Sequence, residues 1–184
     1  MEPSPFLPTK PNPTKIATKW ALIYVVTSIV LTYAFQLLNI DPNSPVKYIS
    51  LIPFTAFLVL AQQEYKTQMN GYISYGEGFS TAFRVALFAG LILAVFTFIY
   101  LKYLSPDQLV KSMDTQREKM TERGMSDAQI DQALSIGTKY GAIFGAVAVA
   151  IFTPILGCIV GAITSAIVKK DHPPIDLLDQ DPTV

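Results

Sequence analysis

Arg84 is the charged residue that stands deepest in an apolar stretch of the sequence, because no charge follows it until Lys102. A charge inside a membrane span is costly, so it marks a candidate binding site and calls for an anionic partner. Glu77 lies on the same helical face, about 10 Å away along the axis. Glu64, at the end of the preceding apolar stretch, could approach either residue. We therefore define Arg84, Glu77 and Glu64 as a candidate polar or lipid site.

Two interpretations of this site stay open. In the first, Arg84 binds a substrate, an ion or an anionic headgroup, since a planar guanidinium bonds phosphate oxygens in pairs. In the second, the role is structural: the stem of Arg84 extends to the lipid headgroups and Glu77 caps the start of its helix.

Small residues in the last apolar stretch recur in a register of four, which lets helix backbones approach closely in a membrane. Three interpretations of this helix-packing ridge stay open: packing within the chain, contact with a second copy or another membrane protein, and the lining of a pore. Its glycines are Gly137, Gly141, Gly145, Gly157 and Gly161.

Catalytic and metal chemistry find little support in the residue types. The chain has one cysteine, Cys158, and one histidine, His172, which we interpret as a buried apolar residue and a solvated tail residue. Phosphate loops, zinc-protease helices, nucleophile elbows and paired carboxylates are missing from the sequence. We therefore expect no catalytic, cofactor-binding or metal-binding residues and no enzymatic activity.

The composition indicates an integral membrane protein. Of 184 residues, 51% are hydrophobic and only 15% are charged, whereas soluble domains carry roughly 25% charged residues. Fourteen basic residues balance fourteen acidic ones, so no basic surplus exists for nucleic acid. The expected partner is the lipid bilayer, with a homo-oligomer or another membrane protein as a further partner.

Four apolar stretches predict an all-α fold, a four-helix transmembrane bundle within residues 15–170. A crossing needs about 20 apolar residues. The second stretch is the shortest; Ser44 and Pro45 suit its start, and Pro53 should kink it. The last is longer than a bilayer requires, so it must tilt, protrude or bend at Pro154. The predicted spans are residues 16–38, 45–63, 75–103 and 137–168.

Capping signals predict a helical hairpin outside the membrane over residues 105–135. Ser74 with Glu77 opens span three as a capping box, and Ser105 and Ser126 show the same pattern. The first loop helix should end at Gly124, and the second should lead directly into span four. The apolar stripe of the first loop helix could rest on the membrane, dock a partner through its methionines, or pack on the second loop helix and the top of the bundle.

The two ends of the chain are predicted to be flexible, a lead over residues 1–14 and a tail over residues 171–184. An even number of spans puts both ends on one side. Positive charges next to spans determine orientation, and Lys15, Lys19, Lys169 and Lys170 adjoin spans one and four. We therefore expect both termini in the cytoplasm.

The chain resembles a family of small bacterial membrane proteins known as domain of unknown function 4199, found mainly in Bacteroidota. The resemblance covers residues 15–170 and is carried by GYISYGEGF at residues 71–79, by the stretch 100–107, by Gly124-Met125-Ser126 with Gln129-Ile130, and by the last span. It implies a multi-pass protein of the bacterial inner membrane, often encoded near a family-2 glycosyltransferase, and it implies no activity.

Two functional hypotheses follow. The first is a non-enzymatic membrane subunit or scaffold that assembles through the glycine-rich last helix and the loop hairpin. The alternative is a small transporter or lipid-carrier flippase in which Arg84 binds an anionic headgroup or phosphate, in the service of a membrane glycosyltransferase. The direction in which Arg84 points distinguishes them: a polar cavity supports transport, and headgroups support the scaffold.

Overall fold

The computed structural model describes residues 11–38, residue 40 and residues 45–171, and its regular elements there are all helical. Within these residues, one isolated antiparallel β-bridge pairs Ile73 with Lys170. In chain order the elements are α1 (Pro13–Leu37), a 3₁₀-helix (Pro45–Ser50), α2 (Leu51–Gln68), α3 (Tyr75–Ile99), a π-helical turn (Tyr100–Leu104), α4 (Pro106–Glu122) and α5 (Asp127–Val168).

Three of these helices are long and apolar enough to cross a membrane. They are Pro13–Leu37, Tyr75–Leu104 and Asp127–Val168, and their most apolar windows are only 11%, 33% and 6% buried within the protein. Apolar surface left outside a folded chain at this scale is covered by lipid or by another protein. The helices therefore indicate a membrane location.

α2 does not meet the same criterion, although residues 45–63 were predicted as a span. Its apolar part ends in a polar segment from Gln62 to Gln68, and its first six expected residues form the 3₁₀-helix instead. Pro53 lies in the first turn of α2, where a missing N–H costs no intrahelical hydrogen bond. The residue predicted to cap this stretch, Ser44, lies outside the described residues.

Side-chain caps explain where α1 and α3 begin. Asn12 Oδ1 accepts from the backbone N–H groups of Thr14 and Lys15 at 3.0 and 3.3 Å, so α1 begins at Pro13, inside the predicted lead. Ser74 and Glu77 form the predicted capping box, with Ser74 N–H donating to Glu77 Oε2 at 3.1 Å and Glu77 N–H to Ser74 Oγ at 3.3 Å.

The loop signals have mixed outcomes. Gly124 takes a left-handed φ of 75° just after α4, and Ser126 N–H donates to Gln129 Oε1 at 3.1 Å at the start of α5. The capping box predicted at Ser105 is wrong, because its side chain makes no cap bond and the Gln108 N–H donates to the Ser105 carbonyl. α5 then runs unbroken for 42 residues through Pro154.

The described chain separates into two compact units. Unit 1 contains the residues up to Phe88 and those from Leu156 onward, and unit 2 contains Ala89–Ile155. In unit 1, α1 and α2 run antiparallel, since Lys19 pairs with Glu64 whereas Tyr24 contacts Phe54 at a centroid distance of 5.2 Å. In unit 2, α4 packs on the first part of α5.

Candidate functional site

Four helix ends meet at one end of unit 1, which we call the near end: α1 and α3 begin there, and α2 and α5 end there. Lys66 Nζ on α2 donates to the Val168 carbonyl, the last residue of α5, at 2.7 Å. Ile73 and Lys170 exchange two backbone hydrogen bonds of 3.0 and 2.9 Å. These bonds fasten the α2–α3 loop to the segment that follows α5.

Glu64 ties α2 to α1 at the near end. Its Oε2 accepts a hydrogen bond from Lys19 Nζ, with which it forms an ion pair, and a second from Trp20 Nε1 at 2.6 Å. Gln68 Nε2 donates to the other carboxylate oxygen at 3.3 Å. Glu64 therefore has three partners, and the nearest cation is on α1 rather than at Arg84.

These partners also determine the ionisation of Glu64. Partial burial raises the pKa of its carboxyl, but hydrogen bonds from Lys19 and Trp20 and the positive charge of Lys19 outweigh that effect. The pKa of Glu64 is therefore below its ordinary value of 4.5, and the residue is ionised at neutral pH.

Gln62 forms a polar contact inside unit 1, half a turn before Glu64. The residue is fully buried, and its Nε2 donates to Ser165 Oγ on α5 at 2.9 Å and to the Gly78 carbonyl on α3 at 3.3 Å. Ser165 Oγ in turn donates to the Gly161 carbonyl at 2.5 Å. One amide thus links three helices, while its own Oε1 is buried without a hydrogen-bond partner in the described residues.

Sequence reasoning missed this contact, although a signal was present. Gln62 follows Phe54 and Leu58 at intervals of four, and both are buried, so the apolar row of α2 leads directly to the amide. The roles of Lys19, Trp20 and Lys66 were also missed, because their partners lie on helices far away in the sequence.

The structure separates the three residues of the predicted polar site. Glu64 is bound to α1, and Glu77 Oε2 accepts from both the N–H and the Oγ of Ser74, the latter at 2.9 Å. Arg84 is half-buried, and among the described residues no hydrogen bond or ion pair reaches it.

Arg84 lies on the outer face of α3. Ala82 and Ala86 are fully buried, and each is two positions from Arg84, which is about 200° around a helix. Arg84 therefore points away from the packed helices of unit 1.

All five glycines of the predicted ridge face other parts of the same chain. In unit 1, a Cβ on Gly157 would lie 2.1 Å from Ala86 Cβ, and one on Gly161 would lie 3.0 Å from Ala82 Cβ. On this face α5 and α3 approach closely within unit 1.

The ridge glycines of unit 2 accommodate larger side chains. Met113 Sδ lies 2.6 Å from a Cβ built on Gly137, Leu109 Cδ1 lies 2.7 Å from one on Gly141, and Leu101 Cδ1 lies 3.0 Å from one on Gly145. The apolar stripe of α4 therefore packs on α5, which was one of its three predicted roles.

The opposite side of α5 carries a second row at the same spacing, made of branched apolar side chains that are all about half exposed or more. Sequence analysis did not identify this row. Its members are Ile143, Val147, Ile151, Ile155, Ile159, Ile163 and Ile167.

Comparison with known proteins places the chain in a family without assigning an activity. Residues 19–170 match the family described as protein of unknown function (DUF4199). Neither the curated proteins nor the solved structures contain a match to this chain. Because the family match covers most of its length, the protein belongs to the DUF4199 family of proteins of unknown function.

Proposed function

We propose that this protein is a non-enzymatic, four-span subunit or scaffold of the bacterial inner membrane. The observation that carries the proposal is how the polar groups of the near end are used. Glu64 bonds to α1, Gln62 bonds to α3 and α5, and Lys66 bonds to the end of α5, so these groups hold the helices of unit 1 together.

The direction of the chain supports a fourth crossing. α1 starts at the near end, and its 25 residues extend about 38 Å away from it. α3 starts at the near end again, where Ile73 is bonded to Lys170. The chain must therefore return between them, and α2 runs antiparallel to α1 from Phe54 to Glu64.

The charges support an orientation with the near end in the cytoplasm. Lys15 and Lys19 on α1 and Lys169 and Lys170 after α5 all lie at this end. Basic residues beside spans are retained on the cytoplasmic side. The termini would then be cytoplasmic and α4 would lie on the opposite side.

The partner-binding surface of the proposed subunit is the exposed side of α4. Its apolar stripe and the α5 glycines are occupied by each other, whereas no residue of α4 is buried. The exposed side is charged: Arg117 pairs with Asp131 of α5, and Lys111, Glu118 and Glu122 are exposed. Such a helix belongs in water and fits a partner with complementary charges.

The test is extraction of the tagged protein in native lipid particles, followed by mass measurement and identification of co-purifying proteins. We expect a stoichiometric protein partner, lost when Lys111→Glu and Glu118→Lys are combined on α4. A matched control pairs Lys169→Glu with Asp171→Lys, which likewise exchanges two opposite charges, and it should retain the partner. A monomer without any protein partner would contradict the proposal.

A further inference from the structure

We propose that Arg84 and Ser80 on the outer face of α3 bind the phosphate of an anionic phospholipid in the near-end leaflet. The starting observation is the isolation of Arg84. It is half-buried in an apolar helix, and no hydrogen bond or ion pair from the described residues reaches it. An uncompensated charge at that depth is costly, so an anionic partner supplied from the lipid is favoured.

The direction of the side chain identifies the leaflet. In an α-helix the Cα–Cβ bond leans toward the N-terminus, and α3 begins at the near end with Tyr75. The guanidinium of Arg84 therefore extends back toward the near-end headgroups, over Ser80, which is one turn earlier on the same face.

The chemistry of the two side chains selects a phosphate. A guanidinium presents two parallel N–H donors that match two phosphate oxygens, and a hydroxyl adds a third donor. The lipid that carries the phosphate also covers the outer face of α3 with its acyl chains, so one ligand satisfies both the charge and the exposed apolar surface.

The acidic residue of α3 does not occupy this position. Glu77 lies about 10 Å further toward the near end along the axis, where its Oε2 is held by the N–H and Oγ of Ser74. The near-end lysines attract anionic headgroups to the same leaflet. Charge thus favours an anionic phospholipid over a zwitterionic one.

The experiment uses the full-length protein, delipidated in detergent and titrated with phosphatidylglycerol while native mass spectrometry counts bound lipids. We compare the wild type with Arg84→Gln, Arg84→Lys and the control Arg123→Gln, which removes an exposed arginine beyond α4. Losing charge-assisted hydrogen bonds should weaken the first phosphatidylglycerol site about ten- to a hundredfold in Arg84→Gln. Arg84→Lys should weaken it less, and Arg123→Gln should leave it unchanged.

Three results would overturn the proposal: equal affinity in the wild type and Arg84→Gln, equal affinity of the wild type for phosphatidylglycerol and phosphatidylcholine, or displacement of the lipid by millimolar inorganic phosphate. The last would indicate a site for free phosphate. If Arg84→Gln does not fold, Arg84→Lys, which keeps the charge, serves as the second test of the site. Helicity measured by circular dichroism checks that each variant is folded.

Discussion

At the scale of single residues, the polar side chains of unit 1 show how a membrane domain uses few polar groups for many contacts. Gln62 is fully buried, and its amide nitrogen bonds to two other helices. Hydrogen bonds between membrane helices contribute about 0.6 kcal/mol on average, because the alternative state also finds partners. The packed volume of the Gln62 side chain should therefore matter more than its hydrogen bonds.

Two substitutions of Gln62 distinguish the contribution of its volume from that of its hydrogen bonds. Gln62→Ala should lower the free energy of unfolding by about 2–4 kcal/mol, because it leaves a cavity. Gln62→Met keeps the volume and removes the unpartnered Oε1, so its cost should stay below about 1 kcal/mol. Reversible unfolding in mixed micelles measures both values. Equal losses in the two variants would mean that the hydrogen bonds dominate.

The ion pair of Glu64 predicts a pH dependence. Because the folded pKa is lowered, the ionised carboxylate contributes stability above its ordinary pKa of 4.5. That contribution is lost as the pH falls from 4.5 through the lower folded value. Glu64→Gln should therefore be less stable than the wild type at pH 7, and the difference should shrink as the pH falls below 4.5. Thermal unfolding at several pH values tests this, with the exposed Glu122→Gln as the control.

At the scale of helices, α5 combines two rows of residues with opposite properties. The row of small residues permits close approach to α3 in unit 1 and to α4 in unit 2. The branched row faces outward. Association in lipid relies on packing rather than on the hydrophobic effect. The two rows therefore determine which side of α5 packs and which side lipid covers.

Substituting the small row should be costly where the space is smallest. Gly157→Ala would bring a Cβ to 2.1 Å from Ala86 Cβ, so we expect a loss of about 1–3 kcal/mol in unfolding free energy. Gly76→Ala, in the first turn of α3 with nothing within 4 Å, should be neutral or slightly stabilising. If both variants unfolded alike, close packing at Gly157 would not contribute to stability.

The helices and their starts were largely predictable from the sequence, whereas the polar contacts were not. Ser74 with Glu77 is a local pattern, and local patterns can be read from spacing. Glu64 was a residue that could approach Arg84 or Glu77, but its partners are Lys19 and Trp20, about 45 residues earlier in the chain. Such pairings depend on which helices become neighbours. Ser105 shows the opposite limit: its local pattern marks the start of α4 at Pro106, but its side chain makes no cap bond, and its backbone N–H donates to the Tyr100 carbonyl in the preceding π-helical turn.

At the scale of the whole molecule, orientation depends on few charges. Removing three of them with Lys15→Gln, Lys169→Gln and Lys170→Gln should produce a mixture of orientations, whereas Lys111→Gln, Lys119→Gln and Arg123→Gln should not.

In a Cys158→Ser background, a membrane-impermeant maleimide applied to spheroplasts should label Ser112→Cys and spare Gln68→Cys. If, with no lysine substituted, Gln68→Cys is labelled and Ser112→Cys is not, the near end faces the outside of the cytoplasmic membrane.

The link between Gln62 and Ser165 spans 103 positions of the chain, which affects biosynthesis. Translation at about 5–20 residues per second separates the two residues by roughly 5–20 s. During that interval α1 and α2 are already made, yet the amide of Gln62 has no serine to bond and the wall contributed by α5 is missing. A ribosome stalled before residue 165 should therefore leave this amide without its serine partner, where quality-control proteases can recognise it.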